Sequence, residues 1–95
     1  MVTKIINVFP LASRQYTDKQ GVTQVFRSKG FVLRNGDGTI YAEAVQEVAD
    51  QLEQLDIKAG DCAFVQLASV ARTYKTQKGE ERYSTEFTIR QMVMI

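Results

Sequence analysis

The stretch from Gly60 to Met94 constrains the fold of this 95-residue chain most strongly. Two segments rich in Val, Phe, Thr, Tyr and Ile, which strands favour, flank a short polar turn. The turn, from Thr76 to Glu80, contains Gly79, which adopts a positive φ angle at little cost. The stretch therefore predicts a long β-hairpin, around which the rest of the chain is organised.

Neighbouring residues of a strand point to opposite faces, so alternation assigns each side chain of the hairpin to a face. In its first strand, Val65 and Leu67 share one face, while Arg72 and Tyr74 share the other near the tip. The return strand has one apolar row: Tyr83, Phe87, Ile89, Val93 and Ile95. We therefore expect the cation of Arg72 and the ring of Tyr74 to lie side by side near the tip of the hairpin, where side chains are least often buried.

The chain before the hairpin predicts three further strands and one helix. The strands are residues 2–13, interrupted by Pro10, residues 22–34 and residues 39–42, with a polar loop at 14–21 and a hairpin turn at Asn35–Gly38. Residues 44–55 repeat apolar side chains every three or four positions, from Val45 to Leu55, and predict the helix. The order β-β-β-α-β-β, in one domain over residues 1–95, is that of the all-β OB-fold, a partly open five-stranded barrel.

The predicted strand at residues 22–34 divides into two rows. One row places Arg27 and Lys29 beside Phe31, and the other contains the small residues Ser28 and Gly30, which suit a curved inner face. Cations that bind phosphates and flat rings that stack on bases are typical of single-stranded nucleic-acid binding. The first row is therefore expected to face outward and bind, or else to be an outward polar face with Phe31 packed under a loop.

Charge is nearly balanced overall but segregated along the chain. Net charge is +1, which alone argues against a strong nucleic-acid binder. Residues 1–40 contain six basic and two acidic residues. Residues 41–61 contain one basic and six acidic residues, and residues 62–95 contain five basic and three acidic residues. Two basic regions thus flank one acidic segment, although an acidic solvated helix alone would produce the same pattern.

Composition argues against catalysis. The chain has no histidine and one cysteine, so a His-dependent triad or a structural zinc site cannot be assembled, and we expect no enzyme, metal or cofactor. Cys62 is expected to be a small buried hydrophobe. No apolar run approaches the ~20 residues that cross a membrane, and a lone cysteine fits a reducing, cytoplasmic location.

The hairpin resembles the last two strands of the bacterial single-stranded DNA-binding protein family. The shared pattern is Ala59-Gly60, then Arg72-Thr73-Tyr74-Lys75, then Gly79 to Glu86, and residues 46–52 resemble the family's helix. The resemblance covers the last half of the chain and implies an OB-fold. It also implies that Tyr74 stacks on a base, since the family has a tryptophan there, and that Arg72 occupies a matching basic position.

We therefore expect binding of single-stranded DNA, with RNA also a possible ligand, without strong sequence preference. Phosphates would contact Arg27, Lys29, Arg72 and Lys75, and bases would stack on Phe31, Tyr41 and Tyr74. Replication, recombination or mobile-element transfer would be the setting. The family's acidic tail is missing after Ile95, so the resemblance points to a tail-less variant.

Two further expectations concern partners. The resembling family forms dimers and tetramers, and Phe64 and Val70 lie opposite the core row, so a homo-oligomer is expected. The alternative function is an OB-fold module of the primosomal type that docks a protein partner. The near-neutral charge and the absence of tryptophan favour that alternative.

Overall fold

Strands form most of the chain in a computed structural model that describes residues 1–36 and 38–95. The elements are β1 (Val2–Val8), β2 (Ala12–Thr17), β3 (Thr23–Asn35), β4 (Gly38–Val45), α1 (Gln46–Gln54), β5 (Cys62–Lys75) and β6 (Glu81–Met94). The predicted turn between β3 and β4 includes Asp37, which lies outside the described residues. Asn35 and Gly38 pair on either side of it. No helix in the described ranges is long and apolar enough to span a membrane.

The sheet closes on itself. Its strand order is β1-β5-β6-β4-β3-β2, and β1 also pairs with β3, which completes a ring of five strands. The β4–β6 contact is parallel and spans only two residue pairs, Ala42 with Phe87 and Glu43 with Thr88. The predicted OB-fold barrel, all-β with one helix after the barrel's third strand, is therefore confirmed.

The described residues form six strands rather than the five predicted, because the first predicted strand is two strands. β1 ends at Val8, just before Pro10, and β2 then pairs with the first half of β3, from Thr17 with Thr23 to Ala12 with Ser28. The prediction of a loop from residue 14 onward was therefore wrong as far as Thr17. Every side chain of β2 is exposed, so the segment lacks the apolar alternation that marks a strand.

A β-bulge in the long hairpin changes which side chains of β6 face the core. Gln66 pairs with Gln91 but Leu67 pairs with Ile89, so Arg90 is an extra residue. The bulge turns Met92 inward and leaves Val93 and Ile95 50% and 76% exposed. The predicted single apolar row is therefore wrong beyond Ile89.

The core lies inside the barrel, with α1 covering one end. Its buried apolar residues are Ile5, Phe31, Leu33, Ala42, Ala44, Ala49, Leu52, Ile57, Ala63, Val65, Ile89 and Met92. The predicted helix stripe is confirmed at Ala49 and Leu52, but Leu55 lies beyond the end of α1 and is exposed. Cys62 is also exposed rather than buried, because the inward row of β5 contains Ala63 and Val65.

Two hairpin arms extend beyond the barrel. β2 is exposed along its length, and so are the tip-proximal halves of β5 and β6, from Val70 to Lys75 and from Glu81 to Glu86. The radius of gyration is 15.4 Å. A compact chain of this length would have a radius of about 12 Å. The arms therefore carry a large side-chain surface that the core does not use.

Candidate nucleic-acid interface

One continuous outer surface crosses both arms and the middle of the barrel, and we call it the front face. Strand register assigns its members, because cross-strand partners share a face. Arg14 pairs with Phe26, Gly30 with Glu43, and Glu43 in turn with Thr88 of β6. The front face includes Arg14, Phe26, Ser28, Gly30, Tyr41, Glu43, Arg72, Tyr74, Glu86 and Thr88.

At one end of the front face, Arg14 covers Phe26. The guanidinium carbon of Arg14 lies 5.2 Å from the centroid of the Phe26 ring, within cation–π range. Both residues border a cleft of about 210 Å³ that also includes Ser28 and Glu43. A positive charge therefore lies beside an aromatic surface here.

Tyr41 lies in the middle of the front face and is held by three contacts. Its phenol end covers Gly30, where an added Cβ atom would lie 2.8 Å from Cζ of the tyrosine. Its ring meets the Phe9 ring edge-on at 5.9 Å, and its Oη donates a 3.0 Å hydrogen bond to Oε1 of Glu43. Burial, and then the Glu43 carboxylate, raise the pKa of Tyr41. The side chain is still 51% exposed, so a fixed ring presents an open surface.

A second, larger cleft opens where β4 and β6 diverge. It has a volume of about 560 Å³ and is lined by Thr39, Ile40, Tyr41, Glu43, Thr85, Glu86, Phe87 and Thr88. The cleft exists because these strands pair at only two positions, so their remaining edges separate. Glu43 borders both clefts and therefore marks the centre of the front face.

The β5–β6 arm supplies the other end of the front face. Arg72 and Tyr74 both project there, as predicted from alternation, and Tyr74 is 52% exposed. The Arg72 Nε donates a 2.7 Å hydrogen bond to Oε2 of Glu86, but both side chains are largely exposed. Ion pairs of this kind contribute little to stability, so Arg72 can exchange Glu86 for a phosphate. Lys75 is exposed at the end of β5, on the opposite row.

The prediction that Arg27, Lys29 and Phe31 face outward was wrong. Their row of β3 points toward the core and α1, and Phe31 is fully buried with 0% exposure. The Lys29 Nζ donates to the Phe9 carbonyl oxygen at 2.9 Å and to Oε2 of Glu53 at 2.6 Å. No base can stack on Phe31 in this arrangement, and Lys29 is already satisfied.

Arg27 is likewise bound to the helix. Its Nε donates to both carboxylate oxygens of Asp50, at 2.8 and 3.0 Å, and this hydrogen bond raises the pKa of Arg27. Asp50 and Glu53, two acidic residues of α1, pair with the two cations of β3. The acidic helix therefore neutralises Arg27 and Lys29, which were predicted from the sequence to contact phosphates.

Arg14 and Phe26 were not among the site residues predicted from the sequence. The sequence feature that could have identified them is the polar segment 18–21, which forms a tight hairpin turn. In this turn, the Asp18 Oδ1 accepts hydrogen bonds from the backbone N–H groups of Gln20 and Val22, each at 2.9 Å. Folding residues 12–28 about that turn places Arg14 opposite Phe26. Tyr41, Arg72, Tyr74 and Lys75 are exposed as expected, and their contact with nucleic acid stays a prediction.

Comparisons with known proteins support the fold. No protein-family model matches the chain, and no curated protein matches it in sequence. Among solved structures, the chain is similar to the second OB-fold domain of replication protein A from Methanococcus maripaludis, determined by solution NMR. The TM-score is 0.59 at 19% identity, over 99% of this chain and 79% of that one. At this identity the likeness shows the OB-fold alone, and function must be argued from the residues.

Proposed function

We propose that this protein binds single-stranded DNA along the front face. The observation that carries the proposal is the set of rings and cations on that one surface: Arg14 over the half-buried Phe26, the open ring of Tyr41, and Arg72 beside the exposed Tyr74. Single-strand binders combine cations along the backbone path with rings on which bases stack. The low net charge is compatible with this function, because two acidic residues of α1 are paired with cations on the other side of β3.

In the proposed complex, phosphates contact Arg14 and Arg72 on the front face, and Lys75 where the strand passes around the tip of the β5–β6 arm. Successive bases stack on Tyr41, on Tyr74 and, once Arg14 has turned from the ring to a phosphate, on Phe26. Every base has a flat π-surface, so stacking tolerates any sequence, and each stack is worth ~1–3 kcal/mol. The β2–β3 arm and the β5–β6 arm lie on either side of the bound nucleic-acid strand. RNA carries the same phosphates and bases, and is the second ligand to test.

The hairpin motif also supports kinship with the bacterial single-stranded DNA-binding proteins. We propose a role in replication, where the replication protein A domain of similar fold belongs by its name. Recombination and mobile-element transfer are the other settings in which single strands arise.

We also propose a homo-oligomer. Val2, Phe64 and Val93 pair across β1, β5 and β6, and all three are exposed on the outside of the barrel. A second copy would cover this apolar row. Light scattering at micromolar concentration is expected to give a dimer or tetramer mass, and a monomer mass would contradict it.

A second candidate function is docking of a protein segment. The diverging edges of β4 and β6 border the cleft of about 560 Å³, and a peptide in extended conformation could pair with such an edge. This function predicts little affinity for nucleic acid.

Titration with a fluorescent oligo-dT decides between the two functions. Single-strand binding predicts that, at ~50 mM salt, the protein binds oligo-dT more tightly than duplex DNA. It also predicts that the slope of log K against log salt is about −0.7 for each phosphate contact. Three cations give a slope of about −2. Affinity that is absent at ~50 mM salt, or equal for duplex, would contradict the proposed function.

A further inference from the structure

Glu43 is out of place on a surface that binds phosphates. It lies at the centre of the front face, where both clefts meet, and its Oε1 accepts the hydrogen bond from Tyr41. Among the described residues, no lysine or arginine forms an ion pair with it, whereas Glu86 on the same face pairs with Arg72. The middle of the front face therefore presents an unneutralised carboxylate.

This carboxylate limits how a strand can lie across the front face. A phosphate near Glu43 would be repelled, so the backbone should run toward the cations on the arms, Arg14 and Arg72. The bases then lie over the middle, where the exposed Tyr41 ring borders one cleft beside Glu43 and the half-buried Phe26 ring borders the other. An ionised carboxylate only accepts hydrogen bonds, and its two oxygens have about four acceptor positions, of which Tyr41 uses one.

We propose that Glu43 accepts hydrogen bonds from the Watson–Crick edge of one base, and that this position of the strand favours guanine. The inference rests on the proposed function and adds a sequence preference at one point. Guanine presents two adjacent donors, N1–H and an N2 amino hydrogen, which match the two oxygens of a carboxylate. Such bidentate, charge-assisted pairs are among the stronger hydrogen-bonded contacts.

The other bases fit less well. Thymine has one donor, N3–H, between two carbonyl oxygens that a carboxylate repels. Cytosine and adenine each offer one exocyclic amino group next to an acceptor nitrogen. Single-stranded bases are commonly read on their Watson–Crick edges, which are free when unpaired. Tyr41 would serve as a positioning residue as well as a stacking ring, since its hydroxyl fixes the orientation of the carboxylate.

The test compares oligonucleotides of about 15 nucleotides that differ at one central base, by fluorescence anisotropy at constant salt. A central dG in oligo-dT should bind about fivefold or more tightly than dT alone, since a good bidentate pair contributes ~1–3 kcal/mol of discrimination. Deoxyinosine, which lacks the N2 amino group, should give an intermediate affinity. Equal affinities for dG and dT in the unaltered protein would overturn the inference.

Two variants separate base reading from simple repulsion. Glu43→Gln should bind oligo-dT more tightly, because a negative charge is removed, and should lose the dG preference to within about twofold. Glu47→Gln removes the same charge from the exposed side of α1 and should keep the preference. A dG preference that persists in Glu43→Gln would overturn this inference but not the proposed function. Failure of the unaltered protein to bind any oligonucleotide would overturn the proposed function, and this inference with it.

Discussion

Each face of β3 has an aromatic ring with a cation close to it, yet only one of these pairs is open to a ligand. On the core side, Lys29 lies 5.9 Å from the Phe31 ring centroid, but the ring is buried and the ammonium is bound to Glu53. On the front side, Arg14 lies 5.2 Å from the Phe26 ring centroid on an exposed arm. The distances are similar and the surroundings differ.

Whether a cation is available to a ligand therefore depends on its partner in the folded protein. α1 packs against the core side of β3 and brings Asp50 and Glu53 to Arg27 and Lys29. A helix with lysines at those positions would leave the two cations unpaired beneath it, which is unfavourable. The acidic segment thus stabilises the barrel, and the front-face cations remain for phosphates.

Removal of one ring from each face gives the largest contrast. Phe31→Ala should reduce the free energy of unfolding by about 3–5 kcal/mol, as for other buried Phe-to-Ala changes, which is a large part of typical domain stability. Phe26→Ala should cost about 1 kcal/mol of stability but weaken oligo-dT binding about fivefold or more. Urea denaturation and anisotropy measure the two effects. The comparison fails if Phe31→Ala folds normally and binds poorly.

The same comparison applies to the lysines. Lys29→Met should lower the free energy of unfolding by about 1–3 kcal/mol, because it leaves the Phe9 carbonyl group and Glu53 without their partner. Glu53 is 45% exposed and can be rehydrated, which limits the loss. The salt dependence of DNA binding by the folded fraction should not change.

Lys75→Met on the exposed arm is the matched control for Lys29→Met. It should change stability by less than about 0.5 kcal/mol and flatten the salt slope by about 0.7. If Lys29→Met flattened the slope of log K against log salt and left stability unchanged, Lys29 would instead be a phosphate contact.

Much of the barrel could be predicted from sequence, because its signals are local. The turn residues near Gly36 and Gly79, the strand-forming segments around them and the apolar stripe of α1 fix the order of the elements. The exposed positions of Arg72 and Tyr74 followed from alternation in one hairpin. These features depend on neighbours that are close along the chain.

The orientation of β3 could not be predicted in the same way. Alternation separates its side chains into two rows, and both rows mix apolar and polar residues, so the pattern does not tell which row faces inward. The choice is made by α1, about twenty residues away, through the ion pairs of Asp50 and Glu53, and by Tyr41, which covers Gly30 from outside. The bulge at Arg90 likewise depends on pairing with β5.

Tyr74 extends the comparison to the β5–β6 arm. Its ring is half exposed and far from the core, so Tyr74→Ala should leave stability nearly unchanged. It should weaken oligo-dT binding about five- to a hundredfold, as expected for loss of one stacking ring. Wild-type affinity in a well-folded variant would remove Tyr74 from the site, whereas a lowered melting temperature would indicate a structural role.

A pair of arginine variants tests the two faces by salt dependence alone. Arg14→Gln should flatten the slope of log K against log salt by about 0.7, since one phosphate contact is lost. Arg27→Gln should leave the slope unchanged, because its guanidinium is bound to Asp50. Equal slopes in both variants would contradict the assignment of phosphate contacts to the front face.

The smallest expected effect concerns the turn that holds Arg14 on the front face. Hydrogen bonds to the Asp18 carboxylate, above all from the Val22 N–H group, lower its pKa from 3.8 in the folded protein. The ionised form therefore favours the folded arm: its contribution is present above pH 3.8 and is lost as pH falls through the lower folded value. Asp18→Asn keeps an acceptor oxygen but does not titrate, so its thermal stability should fall less steeply below pH 3.8 than that of the unaltered protein. Melting curves on both proteins measure this difference, and the Val22 amide shift in NMR reports the turn directly. Identical acid profiles would show that Asp18 does not control the arm.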